Sequence, residues 1–95
     1  MQIEVTRRGG LAGVVVQGAV DTSELPAEFA SAADAALRRL PYGRPPSAVP
    51  HPDSFQYQIT VVEAGTRRTA ALNESEVGDA LQPVIEAAMA RGHLG

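Results

Sequence analysis

Ile3-Glu4-Val5-Thr6-Arg7-Arg8-Gly9-Gly10-Leu11-Ala12-Gly13-Val14-Val15-Val16 is the stretch that decides the fold. Its first half alternates apolar and polar side chains, the period of a strand with one buried face. Gly9-Gly10 breaks the alternation. Leu11-Ala12-Gly13 then carries one bulky apolar side chain between glycines, and the valines resume a strand. The reading is a strand over residues 2–8 with Ile3 and Val5 on one face, a glycine loop, and a second strand over 13–20. The loop is too long for a two-residue turn, and its glycines permit positive φ. The second strand is mostly apolar, which predicts a central place in the sheet or cover on both faces. Gly18 inside it predicts a bulge or a close backbone approach.

Working outward, Asp21-Thr22-Ser23-Glu24 reads as a helix start, because Glu24 stands three residues after Asp21 and both side chains can accept orphan amide hydrogens. Pro26 suits a first turn. Leu25, Phe29, Ala33, Ala36 or Leu37, and Leu40 recur at helical spacing, and Pro41 and Gly43 end the helix. Residues 41–53 hold five of the seven prolines and read as a loop with polyproline character rather than a linker between domains. Phe55, Tyr57, Ile59 and Val61 alternate with Gln56, Gln58 and Thr60, the cleanest strand in the chain. Glu63-Ala64-Gly65-Thr66 turns it, and Arg67 to Leu72 returns as an edge strand with Arg67 and Thr69 outward. Asn73 and Glu76 make a second capping pair. Val77, Leu81, Val84 or Ile85, and Ala88 mark a last helix that closes near Gly92. Pro83 predicts a kink there, or a short turn before a separate helix beginning near Asp79.

The resulting expectation is a single α+β domain over residues 1–95. It has two layers: a four-stranded antiparallel sheet with two helices on one face, in the order ββαββα. Its expected core is Ile3, Val5, Val14 or Val15, Leu25, Phe29, Leu37, Phe55 or its neighbouring face, Ile59, Leu81 and Ile85. Ninety-five residues bury a modest core. The chain has no cysteine, which removes disulfides and zinc–thiolate sites and fits a reducing compartment. A net charge of -3 argues against a nucleic-acid partner. No apolar run reaches the roughly 18 residues of a membrane span, so no membrane partner is expected. Met1-Gln2-Ile3-Glu4 lacks the pattern of a secretory signal.

Catalytic constellations are missing. His51 and His93 are far apart in sequence and too few for a zinc site. Asp21 and Glu24 are a carboxylate pair, but capping is their first reading. None of the serines stands in a Gly-x-Ser-x-Gly elbow. The Gly9–Gly13 loop lacks a lysine and joins two strands, so it is no phosphate loop. Arg38-Arg39 and Arg67-Arg68 read as solvated faces. The expectation is a non-enzyme without cofactor or metal.

The residues that carry a family resemblance are Ile3 to Arg7, Gly9 to Gly13, Val20-Asp21-Thr22 with Leu25-Pro26, the strand Asp53 to Val61, and Leu81-Gln82-Pro83-Val84-Ile85. In this order they resemble the emfourin-like inhibitors of protealysin. Leu11 stands where an aromatic residue is more usual in that family, and the Pro41–Pro52 loop is individual to this chain. The resemblance implies a small cytoplasmic inhibitor, monomeric when free, that binds a thermolysin-like zinc metallopeptidase. The cleft of that target class favours a bulky apolar side chain, which Leu11 would supply. The expected partner-binding residues are Arg8, Gly9, Gly10, Leu11, Ala12 and Gly13, flanked by the Asp21–Glu24 corner. The alternative is a non-catalytic protein–protein interaction module with a different partner.

Overall fold

The computed structural model describes residues 1–10, 13–44 and 54–94. Strand β1 (Gln2–Gly9) is followed by β2 (Val16–Asp21), helix α1 (Ala27–Arg38), β3 (Phe55–Glu63), β4 (Thr66–Asn73), helix α2 (Gln82–Ala90) and the two-residue β5 (His93–Leu94). The sheet order is β4-β3-β1-β2-β5, and every neighbouring pair is antiparallel. This is the expected ββαββα fold, with one addition: the tail containing His93 returns as a short strand on the outer edge of β2.

Alternation decides the layers. The register aligns Ile3 with Val20 and Val61, and Val5 with Gly18 and Ile59. Ala70 faces Ile59 from β4, and Leu72 faces Tyr57. These side chains form one buried sheet face, which is covered by Ala33 and Leu37 of α1 and by Leu81, Val84, Ile85 and Ala88. The other face carries Glu4, Thr6, Gln17, Gln58, Thr60, Arg67 and Thr69 and has no layer over it among the described residues, so β2 lies inside the sheet, between β1 and the short β5, but is not covered on both faces. Its apolar run misleads because Val14 and Val15 precede the strand, and Val14 is 42% exposed.

The helix boundaries shift for local reasons. The capping box closes as read: Asp21 accepts the Ser23 amide hydrogen at 2.9 Å, and Glu24 accepts that of Asp21 at 3.0 Å. What it caps is a separate 3-10 turn, Thr22–Glu24. The chain extends again at Leu25, Pro26 takes the N-cap position of α1, and the helix starts at Ala27. Phe29 therefore falls in the first turn, at the flank of the stripe formed by Ala30, Ala33 and Leu37. At 42% exposed it lies outside the core, contrary to the sequence expectation. Phe55 is also only half-buried. Val20, Val61 and Val84 carry core volume in their place. Pro83 makes no kink: a 3-10 turn over Asp79–Leu81 comes first, and the proline sits in the first turn of α2, where its missing donor leaves no bond unmade. The arginines are not merely solvated. Arg38 bridges Asp34 and Glu63, and the Arg68 guanidinium lies 4.6 Å from the centre of the Tyr42 ring.

Gly18 lets the sheet and α2 approach each other closely. A Cβ on it would lie 1.9 Å from the carbonyl oxygen of Ala88 and 2.8 Å from its carbonyl carbon. The C-terminal end of α2 thus rests on bare backbone, and no side-chain rotation can relieve a methyl there. Gly18→Ala should destabilise the chain by about 2–3 kcal/mol, the cost of forced overpacking. Phe29→Ala should cost under about 1 kcal/mol, as expected of a surface position. Urea denaturation of both variants checks this, and the reverse ranking would contradict the packing described.

Candidate functional site

The described residues of the glycine loop are built onto the start of β3. Gly9 and Gly10 have φ of 93° and 78°. A Cβ at Gly9 would lie 2.5 Å from the Ser54 carbonyl oxygen, and one at Gly10 would lie 2.8 Å from the Phe55 ring. Both positions therefore need glycine for backbone conformation and for space. The Gly10 amide donates to the Ser54 carbonyl at 3.3 Å, and the Gly13 amide donates to the Gly10 carbonyl at 3.3 Å. Beneath them Phe55 is held from two sides. Its amide donates to the Glu74 carboxylate at 3.1 Å, and the Arg7 guanidinium lies 4.5 Å from its ring centre. Tyr57 packs against Phe55 at 6.5 Å between ring centres, and burial pushes its phenol above the ordinary tyrosine pKa. Leu11 and Ala12 lie outside the described residues, as does most of the Pro41–Pro52 loop. Ser54, the first described residue after that loop, accepts the Gly10 amide hydrogen.

The expected site splits in two. Arg8, Gly9, Gly10 and Gly13 share one end of the sheet. Asp21 and Glu24 occupy the other, because the register sets Val16 against Arg7 but Asp21 against Gln2. Five residue steps of β2 separate the ends, about 17 Å at roughly 3.4 Å per step. Their carboxylates are engaged in the fold. Hydrogen bonds from Ser23 hold the Asp21 carboxyl below the usual range. Glu24 is lowered chiefly by its hydrogen bond from Arg91, which follows α2, and then by the Asp21 amide. Glu24 thus ties the first 3-10 turn to the end of the last helix. Ser54, Phe55, Arg7 and Glu74 support the loop but were not part of the expected site. Only the spacing of aromatics in residues 55–57 hinted at them.

Among the described residues no three histidine or carboxylate side chains group so as to hold a metal ion, and no helix is long and apolar enough to cross a membrane. Fold and site together define a small two-layer α+β scaffold that presents a constrained glycine loop at one end of its sheet. The Emfourin family model matches residues 5–89, and the chain belongs to that family. No curated protein and no solved structure matches it.

The two lowered carboxyls at the far end have a consequence for acid stability. A folded pKa below the unfolded one stabilises the fold above the ordinary carboxylate range, and that contribution is lost as pH falls through the folded value. Melting temperature should therefore drop between about pH 5 and pH 2. Glu24→Gln should start lower and show a shallower acid slope. Parallel curves for the two proteins would contradict the Glu24–Arg91 tie.

Proposed function

We propose that this chain inhibits a thermolysin-like zinc metallopeptidase by presenting the Gly9–Gly13 loop to it, with Leu11 as the apolar anchor. Membership of the Emfourin family carries the reading. The geometry supports it, because Gly9 and Gly10, held against Ser54 and Phe55, lose little conformational freedom on binding. Arg8 flanks the loop on the same end of the sheet. Asp21 and Glu24 serve folding on this reading rather than contact, since they stand at the far end. The inhibitor supplies no cofactor and acts as a cytoplasmic monomer.

Titrating the activity of such a peptidase with the purified chain tests the proposal. Activity should fall to a floor set by stoichiometry. Leu11→Ala should weaken inhibition by at least about 1 kcal/mol, as an anchor residue does, with the melting temperature unchanged. Full activity in the presence of excess chain would end the inhibitor reading. Undiminished inhibition by the Leu11 variant would remove the loop from the contact.

A further inference from the structure

The open face of the sheet forms a grid. Across β1, β3 and β4 the register lines up Arg8 with Gln56 and Asn73, Thr6 with Gln58 and Ala71, Glu4 with Thr60 and Thr69, and Gln2 with Val62. The end far from the loop is closed upon itself. Arg67 makes a two-pronged contact with Glu4, at 3.2 and 2.9 Å, over the paired hydroxyls of Thr60 and Thr69, which are 2.9 Å apart. The loop end is arranged differently. Arg8 is exposed and has no carboxylate partner among the described residues. Beside it is a hollow lined by Arg8, Gln56, Gln58, Ala71 and Asn73 together with Tyr57 and Leu72. Ala71 contributes only a methyl opposite the longer Gln58, which leaves room for the depression. The acids that follow β4 are committed elsewhere, Glu74 to the Phe55 amide and Glu76 to the Asn73 amide at 2.8 Å.

Arg8, Gln56, Gln58 and Asn73 thus bring one guanidinium and three primary amides to the lining of a small, otherwise largely apolar hollow beside the glycine loop. Arginine offers a planar fork of donors that matches a carboxylate, and the glutamine amides can satisfy its remaining lone pairs. We propose that this hollow receives an acidic side chain of the protein partner and fixes the orientation in which the loop meets it. The assignment of the partner as a metallopeptidase rests on the proposed function, whereas the carboxylate site itself does not. Arg8 follows the strand directly into Gly9, so a partner seated on the loop reaches the hollow without crossing the sheet.

Two measurements test this separately. The isotopically labelled free chain is titrated with N-acetyl-aspartic acid amide and with its neutral isostere, N-acetyl-asparagine amide. The acid should shift the Arg8, Gln56, Gln58 and Ala71 resonances in a saturable way, and the neutral compound should not. Arg8→Ala, or Ala71→Leu, which fills the hollow, should abolish the response. Equal shifts from both compounds, or none, would overturn the site whether or not the chain inhibits anything. Against the inhibited peptidase, Arg8→Ala and Ala71→Leu should each weaken inhibition about tenfold, and Arg8→Ala should flatten its salt dependence. Unchanged inhibition by both variants, with Leu11→Ala still impaired, would overturn the docking role and leave the inhibitor reading standing.

Discussion

β1 is hydrogen-bonded to a neighbour on both sides, to β2 from Gln2 to Arg7 and to β3 along its whole length. Every other feature depends on that double pairing. A one-residue slip would turn Ile3 and Val5 to solvent and bury Glu4 and Thr6. The same register brings Gly9 against Phe55, and from that pairing follow the contact of Gly10 with the Phe55 ring and its hydrogen bond to Ser54. The core and the presented loop are therefore consequences of one strand alignment. The helices lock it from one side, with α2 seated on Gly18 where a side chain has no room.

The two ends of the sheet are organised for different purposes. At the far end the charges are matched in pairs: Glu4 with Arg67, Glu24 with Arg91, and Arg38 with Asp34 and Glu63. Exposed pairs of this kind contribute little each, but they leave few charges there to attract a partner. At the loop end Arg7 is turned inward onto Phe55, Arg8 points to open solvent, and the backbone is held by glycine-specific contacts. On the proposed function, this is the end that meets another protein: Gly9 and Gly10 are fixed by their contacts, and Arg8 has no carboxylate partner among the described residues.

Much of this was legible in the sequence. Alternation in residues 2–8 and 55–61 gives β1 and β3 with their buried faces, since a period of two leaves little choice once glycine and proline mark the turns, whereas β2 starts three residues later than its apolar run suggests and β5 carries no signal of its own. Gly18 within a strand points to a bulge or a close approach, and it is the second that occurs, with α2 resting on it. The misreadings have physical causes. Phe29 was placed in the core by extending the helical stripe back to Leu25, but the extended step at Leu25-Pro26 resets the phase. The capping box at Asp21–Glu24 is real, yet it opens a single 3-10 turn rather than a long helix. Asp21 and Glu24 were set beside the glycine loop because a sequence shows neighbours along the chain and not the direction of a hairpin. The support from Ser54 and Glu74 leaves no local signal, and that from Phe55 only its place in the aromatic alternation, because it depends on long-range pairing.

The claim that unites fold and function is that the partner meets the loop end of the sheet. Amide hydrogen exchange of the chain, free and saturated with a thiol-free, thermolysin-like metallopeptidase, tests it residue by residue. In the free chain the Gly10 and Gly13 amides should already exchange slowly, because both donate within the fold. In the complex, added protection should gather at residues 8–17 and 54–58. Added protection at Thr22–Glu24 and at the Glu63–Thr66 turn instead, with the loop end unchanged, would contradict the account.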